Sequence, residues 1–249
     1  MKILLAEDNK INQKYIVGVL GKTNHTVDVV ENGHQAVNAV RRSDYEVVLM
    51  DVQMPDLDGE QATKQIRALP SAKRDVLIIA LTAHAMTGAR EKCLAAGMND
   101  YLSKPISSAV LIAKLDSIAG STVVAFEGAP AAVPGQTFDI ARLEALRDIL
   151  SPSAFSEQLS LLIETFAPAV ERIGAYLQEG NLKYGASEAH DLAGIAGSYG
   201  AVRVSELASE LEAACRSLDS GGAADRFAEL KPAAQEASLN FDRAARVRN

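Results

Sequence analysis

Glu7-Asp8, Asp51, Thr82 and Lys104 each close a short apolar run in the first half of the chain. An acidic pair and a third carboxylate gathered in one crevice would repel one another unless a cation sat among them. A few carboxylates with open coordination positions suit Mg²⁺, which keeps waters and takes phosphate oxygens as ligands. The second half has one candidate of its own. His190 is its sole histidine, set among small residues in GASEAHDLAGIAGSYGA.

These side chains meet only if the topology gathers them. Apolar runs at residues 2–6, 26–30, 46–50, 76–81 and 100–103 read as strands, and helical patterns lie near 10–22, 33–42, 59–69, 86–96 and 106–118. Five strands alternating with five helices predict a parallel sheet covered on both faces. The runs ILLA, VVLM and VLIIAL are continuously apolar, as strands buried on both sides should be. Ligands of such sheets bind outside the carboxyl ends of the strands. Glu7-Asp8, Asp51, Thr82 and Lys104 follow the first, third, fourth and fifth strands, so all fall at that edge.

Strand signals stop after Thr137. The stretch GSTVVAFEGAPAAVPGQT is rich in Gly, Ala and Pro, and Pro130 and Pro134 forbid a regular helix through it. The expected organisation is a domain over 1–120, a linker over 121–137 and a second domain over 138–249. That second domain reads as a short helix at 139–150 followed by four longer ones. In the first of these, Phe155, Leu159, Leu162, Phe166, Val170, Ile173 and Leu177 form one apolar stripe that ends at Gly180-Asn181. Further helices are expected near 182–199, 204–219 and 223–246, the last two separated by Gly221-Gly222. Short connections between long amphipathic helices describe an antiparallel four-helix bundle.

At 249 residues the chain has the length of two domains. It holds no run of eighteen apolar residues, so no membrane contact is expected. The start, MKILLAEDNK, lacks the apolar stretch and cleavage site of a secretory signal. Cys93 and Cys215 stand without a partner motif, which fits a reduced, cytoplasmic protein. Residues 1–120 hold 14 basic and 14 acidic side chains; the rest hold 11 and 18, so the net charge of −7 lies there. That balance repels a phosphate backbone and argues against nucleic acid as a partner.

The stretches AEDN, LMDVQMPDLDG, ALTAHA and YLSKP resemble the response-regulator receiver family in order and spacing over residues 1–120. The resemblance implies a flavodoxin-like α/β fold in which Asp51 is the nucleophile that accepts a phosphoryl group. It implies that Glu7, Asp8, Asp51 and the backbone carbonyl of Gln53 hold Mg²⁺. Lys104 and the Thr82 hydroxyl would take phosphoryl oxygens, and Tyr101 matches the family's mobile aromatic switch. Phosphoryl transfer depends on positioning and charge neutralisation, which this set supplies. Glu7 stands where the family often has Asp. His84, two residues after Thr82, could touch the phosphoryl group or its attacking water.

With His190 on a helix at 100° per residue, Gly185, Ala189, Leu192, Ala196 and Tyr199 form the core seam. His190 then points about 100° away from it, towards solvent, on a face lined by Ala186, Ala193, Gly194 and Gly197. Two glycines inside a helix cost about 1 kcal/mol each, and access to the imidazole is the expected return. The residues Ala189, His190, Leu192, Gly194, Gly197, Ser198, Gly200 and Ala201 resemble the histidine phosphotransfer (HPt) motif. The resemblance implies a bundle whose His190 carries phosphate, since a neutral imidazole nitrogen is a good acceptor. The family usually has lysine three residues on, where this chain has Ala193; Lys183 is the nearest cation expected on that face.

The resulting expectation is a two-component phosphorelay protein. Asp51 accepts phosphate from a histidine kinase, and His190 passes it to or from a receiver; the expected partners are a histidine kinase and other receiver or HPt proteins. No glycine-rich ATP-binding stretch is present, so the chain reads as a separate relay protein or as the last part of a hybrid kinase. Two rivals stand beside it: a docking module switched at Asp51 with a vestigial His190, and a phosphate sink.

Overall fold

The computed structural model describes residues 1–82, 89–120 and 137–246, which fall into two compact units, Met1–Ala129 and Pro130–Asn249. The sequence features of 121–136, with Pro130 and Pro134, lie outside the described residues, as does His84.

The first unit runs β1 (Lys2–Ala6), α1 (Lys10–Leu20), β2 (Thr26–Val30), α2 (Gly33–Arg42), β3 (Val47–Asp51), α3 (Gly59–Arg67), β4 (Leu77–Thr82), α4 (Ala89–Ala95), β5 (Asp100–Ser103) and α5 (Ser108–Ile118). All strand pairs are parallel, in the order β2-β1-β3-β4-β5. This is the flavodoxin-like order, whose connections change direction between β1 and β3 and open a crevice at their carboxyl ends. The continuously apolar runs are the central strands: Ile3–Ala6 of β1, 47–50 of β3 and 78–81 of β4 are all buried. The mixed run TVDVV of β2 takes the more exposed edge. Leu4, Val48, Met50 and Ile78 meet Ala36, Val37 and Val40 of α2 and Ala62 and Ile66 of α3 in one apolar cluster. Short polar caps set the helix starts next to the crevice. Asn9 accepts from the amides of Ile11 and Asn12, and Asp58 accepts from that of Gln61.

The second unit is helical: α6 (Ile140–Ile149), α7 (Pro152–Gln178), α8 (Leu182–Ser198), α9 (Val202–Arg216) and α10 (Ser220–Arg246). Ser151 caps α7, with Pro152 at its first turn, and Gly180 at φ 69° ends it in the left-handed region that glycine favours. The α7 stripe is buried from Phe155 to Ile173, while Leu177 is half-buried. Phe166 meets Phe241 of α10 edge to face, with centroids 5.4 Å apart. Tyr199 is fully buried and satisfies its hydroxyl by donating to Gln158 Oε1 at 2.9 Å.

One boundary differs from the sequence reading. Gly221-Gly222 do not separate the last two helices; they lie inside the first turn of α10. The break is Leu218, at φ 61°, followed by Asp219, whose carboxylate accepts from the Gly222 amide at 2.9 Å. A Cβ on Gly222 would sit 2.3 Å from Asp219 Oδ2, so the glycine admits a cap.

No helix among the described residues is long and apolar enough to cross a membrane.

Candidate functional site

The strand ends deliver their side chains to one place. Glu7 follows β1, Asp51 closes β3, Thr82 closes β4, and Lys104 follows β5. The Lys104 amide donates to the Thr82 carbonyl at 2.6 Å, which ties the last two together. Ligand oxygens of Glu7, Asp8 and Asp51 lie within 4.8 Å of one another. Lys104 Nζ donates to Asp51 Oδ2 at 2.5 Å and to Glu7 Oε2 at 2.8 Å, and the Gln53 amide donates to Asp51 Oδ1 at 3.1 Å. Glu7 is 0% exposed and Asp51 2%. The chain turns tightly behind Asp51. A Cβ on Gly59 would lie 2.1 Å from the Asp51 carbonyl oxygen, so only glycine lets α3 start there.

Burial and the neighbouring Glu7 charge push the Asp51 carboxyl well above its usual pKa, although Lys104 and the Gln53 amide oppose them. Burial alone would lower the Lys104 ammonium, but the Asp51 and Glu7 charges outweigh it and raise its pKa. One lysine thus leaves the buried carboxylates in excess. This donor set fits a hard divalent cation, which Glu7, Asp8 and Asp51 would hold. Tyr101 packs half-buried against the cluster containing Leu4 and Met98.

His190 departs from its expected surroundings. It is 5% exposed, and Ala186, Ala193, Gly194 and Gly197 are buried with it. The small residues admit a neighbouring helix. α9 lies on this face, with the Ser205 hydroxyl donating to the Ala193 carbonyl at 2.8 Å. His190 Nδ1 meets Glu212 Oε2 at 3.1 Å, and Glu212 Oε1 accepts from Arg216 Nε at 2.8 Å. Nε2 has no hydrogen-bond partner among the described residues. Burial would raise the Glu212 carboxyl, but the hydrogen bond and charge of His190, then Arg216, hold it below its ordinary value. An ionised Glu212 accepts from Nδ1–H, so in the neutral ring the lone pair sits on Nε2. Gly200, at φ 85°, closes the end of α8. Its added Cβ would meet the Asp139 carbonyl oxygen at 2.2 Å, so this glycine serves a turn and the start of α6.

The sequence reading missed Glu212. Its signal was present: on α9 it shares the face of Val204 and Ala208, both buried, and a charge on such a stripe is rarely buried without a partner. Burial of the imidazole carries a testable consequence. Diethyl pyrocarbonate, followed by peptide mass spectrometry, should modify His190 far more slowly than the more accessible His34. Comparable rates would contradict this placement.

The sheet with an acidic crevice at its switch point, joined to a helical unit carrying a buried histidine, defines a phosphoacceptor class. Residues 3–116 match the model of the response regulator receiver domain, and residues 157–239 match that of the Hpt domain. The chain is a receiver domain followed by an Hpt domain, the modules of two-component phosphorelays. It is 44% identical over 106 residues to the signal transduction histidine-protein kinase BarA of Shigella flexneri, covering 43% of this chain and 11% of that protein. It is also 44% identical over 108 residues to the sensor protein GacS of Pseudomonas syringae pv. syringae, covering 43% and 12%. The chain thus spans about a tenth of the length of these curated relatives. Among solved structures it is similar to the receiver domain of sensor histidine kinase PA1611 from Pseudomonas aeruginosa PAO1. Identity there is 48%, with 48% of this chain and 98% of that one covered and a TM-score of 0.45; that structure has a magnesium ion coordinated in the active site cleft.

Proposed function

We propose that this chain relays phosphoryl groups in the cytoplasm, accepting them on Asp51 and exchanging them through His190 with a receiver, its partners being a histidine kinase as first donor and other receiver or HPt proteins. The observation that carries the reading is the convergence of Glu7, Asp8, Asp51 and Lys104 at the sheet's switch point. Bound Mg²⁺ would neutralise charge on the incoming phosphoryl group; Glu7, Asp8, Asp51 and the Gln53 carbonyl would hold it. Lys104, already on Asp51 Oδ2, meets the charge of the transferred oxygens, and the Thr82 hydroxyl stands at the adjoining strand end to bond another. Tyr101 would report the change to partners.

In the second step the Nε2 lone pair of His190 bonds phosphorus as the P–O bond to an aspartyl carboxylate breaks, and the oxygen leaves with the electron pair. The ring becomes positive, and Glu212 at Nδ1 faces that charge. The burial of Nε2 favours one competing reading, in which His190 is a packing residue and the helical unit only docks a partner.

The metal requirement tests the first step. Asp8→Asn should weaken Mg²⁺ binding and slow uptake from acetyl phosphate together, each by at least about tenfold. Full-rate uptake by that variant in EDTA would refute the cation site.

A further inference from the structure

Glu7 is held from more sides than cation binding alone would require. Its carboxylate is fully buried, and one oxygen, Oε2, takes Lys104. The other, Oε1, accepts from the side-chain amide of Asn12 at 2.9 Å, a contact buried within the first turns of α1. The next residue, Gln13, donates through Nε2 to the Glu7 main-chain carbonyl at 2.5 Å. Asn9 caps the same turn and so fixes the register of both amides. Asn12 is itself 5% exposed.

We infer that Asn12 is a positioning residue of the cation site, holding Oε1 so that Glu7 presents Oε2 alone to the crevice. The inference rests on the reading of Glu7 as a metal ligand and adds what keeps that ligand in place. A glutamate has one more rotatable bond than an aspartate, so its carboxylate must be pinned to act as a fixed ligand. With Asn12 and Lys104 on its two oxygens, that freedom is gone. An aspartate at position 7 would be shorter by about 1.5 Å and would fall out of reach of the Asn12 amide. The need for Asn12 is therefore tied to glutamate at position 7.

That dependence separates positioning from general support of the fold. Mn²⁺ binding to the full chain is measured by paramagnetic resonance of the free ion, with Mg²⁺ by competition, and metal-free melting is recorded for every variant. Asn12→Ala, which opens space, and Asn12→Leu, which keeps the volume without the donor, should each weaken Mn²⁺ binding about tenfold. In the Glu7→Asp chain the same two substitutions should change Mn²⁺ affinity less than twofold. Asp8→Asn serves as the control on the site. If it weakens Mn²⁺ binding while both Asn12 variants keep full affinity, the positioning role is wrong and the cation reading stands. Equal weakening in the wild-type and Glu7→Asp backgrounds would show general loosening and also overturn it. If Asp8→Asn leaves Mn²⁺ affinity intact, the cation site itself is misread and the role of Asn12 fails with it.

Discussion

The Asp51→Asn chain should take up no alkali-labile phosphate from acetyl phosphate or a histidine kinase, a loss of at least about a thousandfold. The substitution is nearly isosteric and leaves the Gln53 amide and the Lys104–Glu7 pair in place, so the loss would report the nucleophile itself. A second consequence comes from linkage. Burial and Glu7 raise the folded pKa of Asp51, so above the unfolded carboxylate pKa this group counts against folding. Asp51→Asn should therefore raise the melting temperature of the receiver at pH 7. The gain should shrink as pH falls through the raised pKa, where wild-type Asp51 becomes neutral too. Calorimetry at pH 7 and in mild acid checks the sign, and undiminished alkali-labile label on the variant would overturn the assignment.

The second large effect belongs to Glu212. Glu212→Ala removes the acceptor at His190 Nδ1, and with it the fixed tautomer and the carboxylate that faces the developing ring charge. A hydrogen bond to a charged group is worth about 1.5–3 kcal/mol, so transfer to His190 should slow by roughly ten- to a hundredfold. Glu212→Gln keeps an oxygen acceptor without the charge and should fall between Ala and wild type. The folded pKa of Glu212 is depressed, so its contribution to stability is present above the unfolded carboxylate pKa and lost as pH falls through the folded one. The Gln variant should lack that acid-dependent loss. Rates of histidine-linked label, read as acid-labile and alkali-stable phosphate, decide the matter. Equal rates in all three proteins would remove Glu212 from the mechanism.

How much of this was legible in the sequence follows from how local each cause is. The sheet was readable because β1, β3 and β4 are buried on both faces and write themselves as continuous apolar runs. The crevice followed, since a parallel sheet puts every strand's carboxyl end on one edge. The surroundings of His190 were misjudged because a single core seam describes a helix with one neighbour. In a bundle a helix has two, and the small residues beside His190 admit α9. Ala193 is consequently only 4% exposed, so a lysine there would have to displace packed helix. The partners Glu212 and Asn12 lie 22 and 5 residues from the groups they hold, and each needed the fold to bring its contact into view. Both are polar residues on buried helix faces, which is the local trace such pairs leave.

If His190 exchanges phosphoryl groups with a receiver aspartate, phosphate must pass between two complementary variants of this chain. The His190→Gln chain is labelled on Asp51 with radioactive acetyl phosphate, freed of excess donor, and mixed with an Asp51→Asn chain of different tag length in Mg²⁺. Alkali-labile label should leave the first chain and appear on the second as acid-labile, alkali-stable phosphate. Adding the His190→Gln substitution to the acceptor should abolish that signal. Label that decays from Asp51 only to inorganic phosphate, with none on His190 at any time, would contradict the relay and leave the helical unit as a docking module.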